Sequence, residues 1–141
     1  MRFFKKKLPA PCPLMPDASE YSIKNHIQYN TASLAFIGDA VYSLLAREKL
    51  LLAGDTSAEK LHIAAVDMVN ASAQAEAAKK IMDSLSESEL AVFRRGRNMH
   101  TARGDADYHA ATGLEALFGW LYLSEEYDRM YILFDIITKG I

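Results

Sequence analysis

The amino-acid sequence predicts an all-α fold, and three observations lead to this prediction. Apolar residues recur at helical spacing from Tyr21 onward, and alternating runs typical of strands are nearly absent. Residues that cap helices stand between the apolar stretches. All four prolines lie between Pro9 and Pro16, so none interrupts a later helix.

The length and composition predict one folded domain. The chain has 141 residues, of which 50% are hydrophobic, which is enough to bury a core. We expect a flexible Pro/Lys-rich tail over residues 1–18 and the folded domain over residues 19–141. The start lacks the apolar region of a secretory signal, and no apolar run reaches the length of a membrane span. These features predict a cytoplasmic protein that does not enter a membrane.

The first three helices follow from apolar periodicity and capping residues. The first is predicted from Asn30 or Thr31 to Leu52, with Gly54 as its C-cap and one apolar stripe of Leu34, Ile37, Val41, Leu44 and Leu45. The segment 56–59, Thr-Ser-Ala-Glu, has the spacing of a capping box and opens a second helix. An alanine-rich third helix is expected from about residue 71 to 82.

Three more helices are predicted in the second half of the chain. The segment 86–89, Ser-Glu-Ser-Glu, is another capping-box spacing, and the short helix that it opens leads to a cluster of arginines around Gly96. A polar loop is expected from residue 98 to about 104. The last two helices are expected at about 107–124 and 126–139.

Two isolated acids mark the most apolar helices. Asp39 is the only charged side chain between residues 30 and 46, and Glu115 is the only one between residues 111 and 124. Glycine is unfavourable inside a helix, so Gly38 and Gly119 suggest that two helices cross there with their backbones in close contact. Such a crossing would bring both acids to one cleft.

Two neighbouring carboxylates in such a cleft repel each other, which raises the pKa of one of them or favours binding of a cation. A site that offers only oxygen ligands and leaves some positions open suits Mg²⁺. A bound Mg²⁺ ion activates water for attack on a phosphodiester. A lone helical acid is more often solvated or hydrogen-bonded, and the pattern alone leaves both interpretations open.

The arginine cluster has two interpretations as well. The net charge of −2 argues against nonspecific coating of nucleic acid, so local clusters carry any such binding. Basic residues at a helix end complement the helix dipole. Guanidinium groups on a mobile loop also suit phosphate contacts, and the candidates for such contacts are Arg94, Arg95, Arg97, Asn98 and Arg103. Among the histidines, His109 is the one close to Glu115 along the same predicted helix.

Three segments together resemble the ribonuclease III catalytic domain, and specifically its small bacterial branch, Mini-ribonuclease III. They are residues 34–42 (LAFIGDAVY), 94–98 (RRGRN) and 112–123 (TGLEALFGWLYL), in the order and spacing of that family. The resemblance spans about residues 21–137. It implies a ribonuclease III-like helical endonuclease that dimerises and cuts double-stranded RNA with Mg²⁺, leaving 5′-phosphate and 3′-hydroxyl ends.

The resemblance also assigns residues to roles. Asp39 and Glu115 fall on metal-site carboxylates of the family, Gly38 on a close-packing glycine, and residues 94–98 on a basic loop that contacts RNA. Where full-length members have further acids, this chain has Ala32, Ala35 and Thr112. One well-defined Mg²⁺ site is therefore expected, and Asp105 and Asp107 are candidates for a second. No residues follow Ile141 for an RNA-binding domain, so RNA affinity is expected to be modest and sensitive to salt.

In the small branch the implied substrate is the precursor of 23S ribosomal RNA, presented with a large-subunit ribosomal protein. The implied homodimer interface is the hydrophobic surface around Phe36, Tyr42, Phe118 and Trp120, although aromatic residues at helical spacing are more often core. Two alternatives stay open from the sequence. One is a noncatalytic helical RNA-binding or ribosome-associated module with the same fold, and the other is a helical phosphohydrolase acting on nucleotides.

Overall fold

The computed structural model describes residues 29–54, 56–99 and 104–140, and these residues are helical without a strand. The tail predicted for residues 1–18 lies outside them, as do His100 and Arg103. The six helices are α1 (Thr31–Ala53), α2 (Ala58–Val69), α3 (Ala71–Ile81), α4 (Glu87–Arg97), α5 (Ala106–Leu123) and α6 (Tyr127–Thr138). A 3-10 turn, Met82–Ser84, joins α3 to α4.

Short polar side chains set where these helices begin. The side chain of Asn30 accepts a hydrogen bond from the Ser33 N–H at 2.8 Å and starts α1, and Asn70 starts α3 in the same way. At α4 the predicted capping box is present, because Ser86 and Glu89 each bind the other's backbone N–H.

The capping box predicted for α2 is absent. Ser57, not Thr56, is the N-cap, and its hydroxyl accepts from Lys60 N–H at 3.3 Å. Glu59 therefore lies one position too early in the helix to close the box. Two neighbouring hydroxyl residues are both suitable caps, and the sequence pattern does not distinguish them.

Helix α5 is the centre of the fold. Ten of its 18 residues are buried, and α1, α3, α4 and α6 all pack against it. Tyr42 of α1, Phe118 of α5 and Phe134 of α6 meet edge to face, with ring centroids 5.3 to 6.4 Å apart. Apolar side chains from α1, α3, α4, α5 and α6 complete this core.

The burial of α1 and α5 decides one open alternative and corrects one prediction. Among the aromatic residues that are candidates for an interface or for the core, Tyr42 and Phe118 are 2% and 0% exposed and belong to the core, whereas Phe36 is 82% exposed. Leu44, which was placed on the buried stripe of α1, is 61% exposed. The predicted stripe includes more of the α1 surface than is buried, because α5 covers only the face of α1 that carries Leu34, Val41 and Leu45.

A buried ion pair fixes the start of α4. The Glu89 side chain is 6% exposed, and it accepts hydrogen bonds from Nε and Nη2 of Arg129 in α6 at about 3.1 Å. Burial alone would raise the pKa of Glu89, but the bonds from Arg129 and Ser86 outweigh it and lower the pKa. None of the helices within the described ranges has the length and apolar character that crossing a membrane requires.

Candidate active site

Asp39 and Glu115 meet where α1 crosses α5. A Cβ atom on Gly38 would lie 1.6 Å from the carbonyl oxygen of Glu115, and one on Gly119 would lie 2.0 Å from the carbonyl oxygen of Leu34. The two helices therefore touch backbone to backbone, which only glycine permits here. The crossing predicted from the glycine positions is present, and it brings the charge of Asp39 close enough to influence Glu115.

The two acids differ in exposure. Asp39 is exposed to solvent, whereas Glu115 is partly buried. Helix α5 covers the neighbouring Gly38 and leaves Asp39 beside the contact. Glu115 is the acid that loses hydration on folding.

The electrostatics of Glu115 reflect both its burial and its neighbours. Burial raises the pKa of Glu115 to about 7, and the nearby charge of Asp39 also raises it. The side-chain amide of Gln74, in α3, lies close enough to the carboxyl group to lower the pKa in part. The Gln74 Nε2 atom nevertheless meets no acceptor at standard hydrogen-bond geometry within the described part of the chain.

This donor set fits Mg²⁺. A magnesium ion in a protein commonly keeps several waters and binds through one or two carboxylates. Repulsion between Asp39 and Glu115 is relieved when a cation lies between them, and the exposure of Asp39 leaves room for water ligands. Among residues 29–54, 56–99 and 104–140, no three His, Cys, Asp or Glu side chains gather at one potential metal site.

The candidates for additional ligands lie elsewhere on α5. The Asp105 side chain is the N-cap of α5 and accepts from the Tyr108 N–H at 2.9 Å. Asp107 and His109 are in the first helical turns, eight and six residues before Glu115. At 1.5 Å per residue they lie about 12 and 9 Å away along the helix axis. They are not gathered with Asp39 and Glu115.

The arginine cluster is helical, so the prediction that it lies on a loop is wrong. Arg94, Arg95 and Arg97 form the exposed last turn of α4. Asn98 is the C-cap, and its N–H bonds to the carbonyl of Arg94 at 3.0 Å. Gly96 does not break this helix; its lack of a side chain allows α4 to touch α5, since a Cβ there would lie 2.8 Å from Gly113 Cα.

This contact holds the last turn of α4 against α5. Gly96 faces Gly113 and Ala116, which lie two residues before and one residue after Glu115 in the sequence. The Arg97 Nε donates to Asn98 Oδ1 at 3.3 Å, and in the part of the chain that the structure describes none of the three arginines forms an ion pair. Their charges are available to a phosphate, while they also complement the C-terminal end of the helix dipole.

Comparison with known proteins identifies the family of the chain. Residues 32–126, which contain the whole α1–α5 crossing, match the sequence model of the Ribonuclease III domain. The chain belongs to the ribonuclease III family. Relatives named Mini-ribonuclease 3 support the same family membership. This chain is therefore an endoribonuclease.

The relatives cover most of this ribonuclease. The Mini-ribonuclease 3 of Thermoanaerobacter sp. is 46% identical over 113 residues, which are 77% of this chain and 80% of the relative. That of Enterococcus faecalis is 34% identical over 126 residues, or 84% and 96% of the two chains. The crystal structure of a protein from Fusobacterium nucleatum aligns with a TM-score of 0.73 at 31% identity, over 83% of this chain and 98% of that one.

The positions where this ribonuclease lacks the acids of longer members have other roles. Thr112, one turn before Glu115, is buried, and its hydroxyl donates to the carbonyl of Tyr108 at 3.0 Å. Ala35 is buried against α5 and Ala32 is exposed. None of the three supplies a carboxylate, and among the described residues no third acid gathers with Asp39 and Glu115.

Gln74 is the residue near this site that the sequence did not reveal. It lies on α3 in a run of alanines, on the same face as Ala78 and Ile81, four and seven residues later. A polar residue on an otherwise apolar helix face is the available signal. The signal shows only that Gln74 is buried, and the fold is needed to show that it reaches Glu115.

Proposed function

We propose that this chain is a Mg²⁺-dependent endoribonuclease that cleaves double-stranded RNA and leaves 5′-phosphate and 3′-hydroxyl ends. The observation that carries the proposal is the meeting of Asp39 and Glu115 at the glycine contact between α1 and α5. The two carboxylates hold the ion. When bound, Mg²⁺ supplies an activated water and stabilises charge on the phosphate.

The arginine turn gives the proposal a surface for RNA. Arg94, Arg95, Arg97 and Asn98, in the last turn and C-cap of α4, bind backbone phosphates, and we extend this role to Arg103 as the sequence predicts. Backbone contacts carry no sequence information, which is consistent with a nuclease that recognises the shape of a duplex.

The proposed substrate and assembly extend the sequence resemblance. Since the named relatives are Mini-ribonuclease 3 proteins, we propose that the chain matures the ends of the 23S ribosomal RNA precursor in the cytoplasm, with a large-subunit ribosomal protein presenting the duplex. Members of this family typically dimerise, and we propose a homodimer that sets two sites across one duplex and cuts both strands. Phe36, which is 82% exposed on α1, is the predicted interface aromatic that reaches solvent most fully.

Cleavage of an end-labelled RNA duplex tests the central proposal. We expect the wild-type protein to cut with Mg²⁺ and not with EDTA, and Asp39→Asn to reduce the rate by on the order of 10²-fold or more, since it removes a metal-binding charge. Asp67→Asn is the matched control, because Asp67 is an exposed helical aspartate of α2. Equal rates for Asp39→Asn and wild type would overturn the proposal.

The absence of a third acid among the described residues favours one alternative for the same fold, a noncatalytic RNA-binding module. That alternative predicts that the wild-type protein and Asp39→Asn both bind the duplex, and that neither cleaves it with or without Mg²⁺. A panel of nucleotides in the same assay tests the phosphohydrolase. Release of phosphate from a nucleotide with an intact duplex would support it over the endoribonuclease.

A further inference from the structure

The Gln74 side chain is an unusual group to bury. The residue is 2% exposed, and its Nε2 atom has no hydrogen-bond partner among the described residues. A buried donor without a partner is destabilising, so native proteins rarely keep one without a reason. Alanine, which occupies most neighbouring positions of α3, could be buried at position 74 without leaving a donor unpaired.

The surroundings of Gln74 point to Glu115. Helix α3 packs directly on α5, and the Gln74 amide approaches the carboxyl group of Glu115. Burial raises the pKa of this carboxyl group, the charge of Asp39 raises it further, and the Gln74 amide lowers it in part. The rest of its immediate α5 neighbourhood is apolar, since Leu114 and Ala116 are fully buried.

We propose that Gln74 is a positioning residue whose amide N–H donates to one oxygen of the Glu115 carboxylate and thereby turns the other oxygen toward Asp39 and the cation. The proposal rests on the proposed function, because it assigns a cation to the pair of acids. It explains why the amide is buried without another partner: its acceptor is a Glu115 side chain rotated toward it.

The chemistry of the amide suits this role. A lysine or arginine in the same place would neutralise Glu115 and weaken its hold on a cation. A neutral amide restrains the rotamer and leaves the full negative charge available. Groups that hydrogen-bond to metal ligands in this way typically change metal affinity by 10- to 100-fold.

Replacement of the amide by an apolar group of similar size tests the proposal. In Gln74→Met we expect Mn²⁺ or Mg²⁺ binding, measured by calorimetry without RNA, to weaken about tenfold. The thermal stability of the metal-free protein is expected to fall slightly at pH 8, because the substitution leaves the partly buried Glu115 carboxylate without its donor. Ile81→Met is the matched control on the same buried face of α3, and we expect its metal affinity to stay within about twofold of wild type.

A second measurement on the wild-type protein does not depend on the variant's folding. The chain contains two glutamines, Gln28 and Gln74, so their side-chain amide signals can be assigned by ¹⁵N NMR. In the metal-free protein at pH 8 we expect the Gln74 amide protons to be shifted downfield, and to lose that shift in Glu115→Ala.

The outcomes separate the two proposals. An unchanged metal affinity in Gln74→Met, or a Gln74 signal that ignores Glu115→Ala, would overturn the positioning role while leaving the nuclease proposal intact. An RNA cleavage rate in Asp39→Asn equal to that of the wild type would overturn the nuclease proposal. The metal-free NMR measurement would still decide whether the Gln74 amide binds Glu115.

Discussion

At the scale of single residues, folding removes hydration from one of the two acids of the candidate site and leaves the other hydrated. Glu115 loses hydration in the crossing of α1 and α5, while Asp39 remains exposed. The helical positions of the two acids could be predicted from the sequence. Their burial could not, because a helical wheel gives the direction of a side chain but does not show how far the neighbouring helix extends over it. Gln74 was missed for the same reason.

The raised pKa of Glu115 makes stability depend on pH. Its pKa in the folded protein is about 7, above the ordinary value of 4.5. The folded protein therefore holds this proton more tightly than the unfolded chain, so the contribution of Glu115 to stability falls as pH rises from 4.5 to 7. Above pH 7 the penalty is complete.

Glu115→Gln removes this penalty. A shift of one pKa unit corresponds to about 1.4 kcal/mol, and solvent screening of a partly exposed group reduces the effect. We expect the variant to be more stable than wild type by about 1–2 kcal/mol at pH 8 and equally stable at pH 4.5, in urea unfolding with EDTA. Glu48→Gln, at an exposed glutamate of α1, is the control. A stability difference that does not change with pH would contradict the prediction.

At the scale of helices, contacts between glycines determine where the elements meet. Gly38 and Gly119 join α1 to α5, and Gly96 and Gly113 join α4 to α5. The helix bounds could be predicted to within one or two residues, because asparagine, serine and glycine caps are local signals. The arginines were wrongly placed on a loop, because Gly96 looks like a helix break when the neighbouring helix is not known.

Gly38→Ala tests the crossing. A Cβ atom 1.6 Å from a backbone carbonyl oxygen cannot be accommodated by a side-chain rotation, so α1 and α5 must separate. We expect a loss of at least about 3 kcal/mol in the free energy of unfolding, measured by urea denaturation. Ala40→Ser, at an exposed position two residues later, should change it by less than about 0.5 kcal/mol. Wild-type stability in Gly38→Ala would show that the helices do not touch there.

The last turn of α4 is tested by the salt dependence of RNA binding. Each arginine that contacts a phosphate contributes close to one unit to the slope of log Kd against log salt. In EDTA, which prevents cleavage, we expect the double variant Arg94→Gln, Arg95→Gln to lower that slope by about 1–2. Lys60→Gln, on the exposed surface of α2, should leave the slope unchanged. A parallel decrease in affinity at all salt concentrations would mean that these arginines do not contact phosphates.

At the scale of the whole molecule, an exposed apolar surface runs along α1. Phe36, Leu44 and Leu51 are 82%, 61% and 66% exposed, and their spacings of eight and seven residues put them on one face of the helix. Apolar surface of this extent is typical of an interface. The sequence identifies Phe36 as a candidate interface residue. It does not show that Phe36 is exposed while Tyr42 and Phe118 are in the core, because that depends on how the helices pack.

Phe36→Ser tests the proposed homodimer. We expect wild-type protein to sediment as a dimer and the variant as a monomer with unchanged helical content, because the side chain contributes little to the fold of one chain. Ile132→Ser removes a comparably exposed apolar residue from α6 and should remain dimeric. A wild-type protein that sediments as a monomer at micromolar concentration would exclude the homodimer.

The direct contact of main chains at Gly38 and Gly119 also bears on how this enzyme is inactivated by heat. Side chains can rearrange locally, but two backbones in contact separate only when the helices come apart. Loss of RNA cleavage on warming should therefore coincide with loss of the helical circular dichroism signal, with no temperature range in which a folded protein is inactive.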